Sequence, residues 1–182
     1  VALLEGISYI LLMTLGLFTF EKSKAEDISI GLVEVQLIMR DSLAARSIQE
    51  QVESQRSIYE SSLLTEENRL RELEQEIIRQ RSVLSPEAFA KKKQDFDSQV
   101  TAHKRNVRER RRILDQAYGS GVRELQSILA EIIAETAREK NIVLVFPVSQ
   151  VLFGERTLLL TDLVLSKLDD KLPQVILNFS TN

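Results

Sequence analysis

Residues 77–93, IIRQRSVLSPEAFAKKK, hold one clean break in nearly a hundred residues of charged, Gln-rich sequence that runs from 42 to 140. Ala, Leu, Glu, Gln, Arg and Lys dominate on both sides, and these side chains lose little rotamer freedom in a helix. At the break, Ser85 can accept a hydrogen bond from the first free N–H groups of a new helix, Pro86 is preset for its first turn, and Glu87 faces the positive end of its dipole. Proline also pushes the residue before it out of the helical region, so one uninterrupted rod is excluded. Two helices folded back on each other follow, with the tip at 84–87. At roughly 1.5 Å per residue, each arm of such a hairpin reaches about 60 Å.

Apolar spacing supports the pairing. In the first arm Ala45, Val52 and Tyr59 recur every seven residues with Ile48 beside them, and a four-residue step restarts the series at Leu63, Leu70, Ile77 and Leu84, with Leu73 at the accompanying position. In the second arm Val100, Val107, Leu114, Gly121 and Ile128 form one series, and Tyr118, Leu125 and Ile132 its partner. Outward, the partner series continues as Asp97, Lys104 and Arg111, so the seam is apolar at the root and polar towards the tip.

The flanks change period. Residues 28–35, ISIGLVEV, alternate as a strand with one buried face. After residue 140 the short apolar run Ile142, Val143, Leu144, Val145 and Phe146 ends at Pro147, as a buried strand does. Residues 151–153 and 158–160, on either side of Gly154, are predicted to form a β-hairpin, and Thr161 with Asp162 to open a short helix stopped by Pro173. Residues 26–41 and 141–182 thus make a small β-rich body, separated in sequence by the whole arm. The class is α+β. So small a body has little core and free strand edges, which self-association would cover.

Residues 7–20, ISYILLMTLGLFTF, are shorter than the ~20 residues of a membrane span. They fit the apolar centre of a secretory signal, with a cut after Ala25, and residues 1–25 are read as that signal. The rival is an uncleaved inner-membrane anchor, which would make the chain a membrane-anchored coiled-coil scaffold of the cell envelope; N-terminal sequencing of recovered protein separates the two.

Composition excludes several classes. With no cysteine and a single histidine, His103, there is no disulfide framework, thiol nucleophile or Cys-based metal site. No Gly-rich phosphate loop follows a strand, and the acidic pairs Glu66-Glu67 and Asp169-Asp170 lie in solvated helical stretches. The sequence therefore predicts no enzyme, no cofactor and no metal. A net charge of −3 and a pI near 5.4 argue against nucleic acid. The charge is uneven, however: residues 42–85 carry six basic and eight acidic side chains, whereas 86–112 carry nine and four. The clusters Lys91-Lys92-Lys93 and Arg110-Arg111-Arg112 read either as a solvated face paired with the first arm or as a surface for anionic partners.

The segments Ile28-Ser29-Ile30-Gly31-Leu32-Val33-Glu34-Val35-Gln36, Ile38 to Ser42 and Ala44 to Ile48, the tip Leu84-Ser85-Pro86-Glu87-Ala88-Phe89, and the order of the C-terminal segments resemble the Skp/OmpH family of periplasmic chaperones, over residues 28–173. The resemblance implies a homotrimer whose bodies pool their strands, with three hairpins around a cavity that holds unfolded outer-membrane proteins without ATP in the periplasm. The chain departs from the family in charge. Familiar members are strongly basic, so the basic outer arm alone supports weak contact with anionic lipid or lipopolysaccharide.

On that reading Leu84, Phe89, Phe96 and Val100 are the large apolar side chains that could reach a client, with Lys91, Lys92 and Lys93 for electrostatic capture. The competing role for the apolar four is closure of the two-helix seam. Gly119 and Gly121 are candidates either for a hinge or for close packing where arm meets body.

Overall fold

The structure, a computed structural model, describes residues 28–180. A short strand β1 (Ile30–Val33) leads into helix α1 (Val35–Asp41), then the outgoing arm α2 (Leu43–Gln80) and the returning arm α3 (Pro86–Glu139). Strand β2 (Leu144–Pro147), 3₁₀ turns at Val148–Gln150 and Arg156–Leu158, and helix α4 (Thr161–Lys171) complete the regular elements. This is the expected α+β arrangement, a long antiparallel hairpin on a small body with a short C-terminal helix. The expected signal at residues 1–25 lies outside the described residues.

Serine caps start both arm helices. Ser42 ends α1 and starts α2: it is fully buried, extended at φ −62° and ψ 152°, and its Oγ accepts from the Ala45 N–H at 3.2 Å. Asp169 on α4 accepts from the Leu43 N–H at 2.8 Å, placing a carboxylate at the start of α2. At the tip Ser85 does for α3 what Ser42 does for α2, accepting from Ala88 N–H at 3.2 Å, with Pro86 in the first turn. Substituting Ser85 by alanine is expected to cost about 1 kcal/mol of helix start. Amide exchange at Ala88 should then rise roughly fivefold if fraying is local.

The far end of α3 closes differently. Asn141 adopts φ 54°, the Ile142 N–H bonds the Ala137 carbonyl at 2.8 Å, and the Asn141 N–H bonds that of Arg138 at 3.2 Å. This left-handed stop satisfies the last carbonyls and turns the chain into β2.

β1 and β2 pair in parallel, Ile30 to Val33 opposite Leu144 to Pro147. Parallel neighbours need a long crossover, and here the entire arm is that crossover. The predicted hairpin around Gly154 does not form. Residues 151–155 have no regular structure, and Leu159 makes one isolated parallel bridge to Leu32. Residues 151–153 pair with neither strand, and Leu152 and Phe153 stay almost wholly exposed. β1 is also shorter than the alternation suggests, because from Val35 the chain coils to bury Ile38.

The core gathers where arm meets body. Val33, Ile38, Ala44, Ile48, Leu125, Ile132, Val164 and Leu168 form one buried cluster, closed by Val175 and Leu177 of the segment after α4. Along α3 the buried residues are Ile113, Ala117, Gly121, Leu125, Leu129, Ile132 and Thr136. Gly121, Leu125 and Ile132 agree with the sequence series, whereas Val107 and Tyr118 are exposed. Four-residue steps replace the seven-residue repeat because α3 meets α4 as well as α2 and so buries a wider stripe than a two-helix seam.

Candidate functional site

Beyond the core the arm is a thin pair of helices with a sparse interior. In its outer half only Leu70 and Ile77 of α2 are buried. Leu84, Phe89, Phe96 and Val100 are all half-buried, neither sealed inside nor free. Phe89 lies under the Arg81 guanidinium, 6.0 Å from its ring centroid, and lower down Arg110 sits 4.9 Å over Tyr59 while donating to the Tyr59 carbonyl at 3.3 Å. The outer seam is thus closed partly by cations on aromatic faces.

The three tip lysines separate by environment. Lys92 turns towards α2: its Nζ donates to Gln80 Oε1 at 2.6 Å and stands 3.9 Å from Glu76 Oε1. Lys91 and Lys93 are exposed. One lysine pins the arms together, and the other two do not.

Elsewhere on the arm, neighbouring turns pair their charges. Glu66 is held below the usual carboxylate range by its hydrogen bond with Arg69, and Glu109 by that with Arg112. Depressed carboxylates stabilise the fold above their unfolded pKa, and the contribution is lost as pH falls through the folded one. These pairs lie at the solvated surface, so they shape the surface more than the stability.

Where the arm meets the tail, a cleft of about 820 Å³ is bordered by Arg108, Arg111, Arg112 and Arg123, with Gly119 and Asn178 at its edge. Gly119 and Gly121 both lie inside the continuous α3. They differ in surroundings. A Cβ on Gly119 would meet only the Arg123 guanidinium, at 3.4 Å, whereas one on Gly121 would lie 2.5 Å from Leu177 Cδ2 and 3.3 Å from Ile48 Cγ1.

Periodicity misses a second apolar set. Ile58, Leu64 and Ile78 on α2 and Val83 at the tip are exposed, Val83 by 84%. These residues fall between the seven-residue series, and that offset is the only signal the sequence offers. On the body Ile28, Val143, Leu144, Phe146, Leu152 and Phe153 are exposed, each in or within six residues of β1 or β2. Scattered apolar residues on a monomer are ordinary, but a parallel sheet is normally covered on both faces.

Among the described residues, no group of three or more His, Asp or Glu could hold a metal ion, and no helix is long and apolar enough to cross a membrane.

Among solved structures the fold is similar to a Caulobacter crescentus CB15 protein described as an outer membrane chaperone (OmpH-like), with a TM-score of 0.77 over 81% of this chain and 88% of that one. Identity between the two is 11%, so the likeness is one of fold. No curated protein matches the sequence. Residues 29–168, well over half the chain, match the family described as outer membrane protein (OmpH-like). The chain therefore belongs to the OmpH-like family of outer membrane proteins.

Proposed function

We propose that this protein is an ATP-independent periplasmic holdase that keeps unfolded outer-membrane proteins from aggregating between its helical arms. The observation that carries the reading is the set Ile58, Leu64, Ile78 and Val83, single exposed apolar side chains spaced along an otherwise polar arm. Each contact of this kind is weak and exchangeable, so a client gains retention from their number without being fixed in one structure. Family membership supports the reading, as does the chaperone description of the Caulobacter protein with the same fold.

Half-buried Leu84, Phe89, Phe96 and Val100 add contacts when the outer seam opens, and Gly119 supplies the compliant point on α3. Lys91 and Lys93 add electrostatic capture of acidic clients, or of anionic lipid and lipopolysaccharide. A homotrimer, joined through the uncovered apolar residues of β1, β2 and the 151–153 loop, would enclose the client.

The test is light scattering of an unfolded outer-membrane protein diluted into buffer with residues 26–182. Suppression of aggregation is expected, and an Ile58, Leu64, Ile78 and Val83 to serine variant is expected to lose most of it while keeping its helical circular dichroism. Suppression equal to that of the unaltered chain would remove these side chains from the mechanism. Client association should slow in 1 M salt, where the screening length falls to about 3 Å, and slow similarly in Lys91→Glu/Lys93→Glu at low salt. Association indifferent to both changes would exclude electrostatic capture.

A further inference from the structure

The chain after α4 has no regular secondary structure, yet it buries alternate side chains. Val175 is 1% exposed and Leu177 7%, Phe179 is half-buried, and Ile176 between the first two is 81% exposed. That period of two is the signature of an extended strand lying on an apolar surface. The surface is the root of the arm, and one side chain there reads the backbone of the segment. Gln51 Nε2 donates to the Val175 carbonyl at 2.6 Å, and the Leu177 N–H donates to Gln51 Oε1 at 3.0 Å. Ser47 steadies the amide, its Oγ accepting from Nε2 at 2.9 Å.

A donor and an acceptor presented to residues i and i+2 are what a neighbouring β-strand would offer. The remaining recognition is apolar: Leu177 occupies the space left by the missing side chain at Gly121, against Ile48. Neither the backbone pair nor the apolar slot depends on the polar side chains of the tail. Any extended segment with apolar residues at alternate positions satisfies both, and strands of membrane barrels have that pattern.

We propose that the cleft formed by Ser47, Ile48, Gln51 and Gly121 is a docking site for extended amphipathic segments, and that residues 174–179 are a built-in strap which occupies it until a client strand takes its place. The proposal rests on the holdase reading for the identity of the client. Tethering gives the strap an effective concentration in the millimolar range, so only a segment already held near the arm root competes well. The strap would thereby reserve the site for strands of clients captured by the arms.

The probe is a fluorescent peptide of the tail sequence LPQVILNFSTN, residues 172–182, with a scrambled control that breaks the alternation. By anisotropy, the full chain carrying Val175→Asp and Leu177→Asp is expected to bind the peptide about tenfold or more tighter than the unaltered chain, whose cleft is filled. Adding Gln51→Ala should abolish that gain, and the scrambled peptide should show none. A second measurement needs no destabilising change: in the unaltered ¹⁵N-labelled chain, several millimolar unlabelled peptide should accelerate exchange of the Leu177 amide. A released variant that keeps its helical dichroism and binds no better, or a Leu177 amide indifferent to the peptide, overturns the proposal. Aggregation suppression by the unaltered chain, measured alongside, is independent of both readouts. After either of those negative results, intact suppression means that the strap falls and the holdase reading stands; if suppression is absent, the holdase reading fails on its own account.

Discussion

Leu168→Ala is expected to destabilise the protein by about 2–5 kcal/mol, the range for emptying a leucine-sized volume in a rigid core. Leu168 is wholly buried on α4, in the cluster that holds Val33, Ile38, Ile132 and Val164. This cluster joins the body to the arm. Its members come from elements separated by most of the chain, so no local shift can refill the space. A loss of that size lowers the melting temperature by roughly 2–4 °C per kcal/mol in a chain of this length. Ser166→Ala, an exposed change on the same helix, is expected to stay within about 0.5 kcal/mol. Paired thermal melts check the contrast, and equal shifts for the two variants would show that α4 does not anchor the arm.

The second large effect is a difference of sign between two glycines one residue apart from adjacency. In an open helix, glycine to alanine adds about 1 kcal/mol of propensity. At Gly119 little opposes it, since only the flexible Arg123 guanidinium stands near the new methyl group, and Gly119→Ala is expected to stabilise by roughly 0.5–1 kcal/mol. At Gly121 the new Cβ falls 2.5 Å from Leu177 Cδ2. Leu177 can swing away, but doing so exposes a side chain whose burial is worth about 1.5–3 kcal/mol, and Ile48 must also give. Loss exceeds gain, and Gly121→Ala is expected to destabilise by about 1–2 kcal/mol while freeing the tail. Urea midpoints at unchanged slope measure both. A raised midpoint for Gly121→Ala would mean that the tail is not held there.

These two sites show how far the sequence reaches. Ser85-Pro86 is legible because a helix start depends on neighbours within four residues, all of them local chemistry. Leu70, Ile77, Leu125 and Ile132 are legible because the stripe that faces the partner arm recurs with the helical period. Val107 and Tyr118 mislead the periodic reading, and Ala117, Leu129 and Thr136 escape it; at its root α3 has α4 and the tail beside α2 as further partners, which no repeat in α3 announces. The exposed set from Ile58 to Val83 is visible only as what the seam leaves over. Leu152 and Phe153 look like a strand by composition, but a strand needs a paired neighbour and they have none among the described residues.

By itself, the sequence determines a two-helix arm with its tip at Ser85-Pro86, a basic returning half and a small strand-bearing body. Each follows from propensity, capping, periodicity or residue inventory, which act over a few residues at a time. Only the tertiary structure decides that β1 and β2 pair in parallel across the whole arm, that Lys92 pins the tip while Lys91 and Lys93 face solvent, and that Gln51 and Gly121 receive the tail. Those contacts join residues dozens of positions or more than a hundred apart, except at the tip, and they rest on matching shapes and on single hydrogen bonds that leave no period in the sequence.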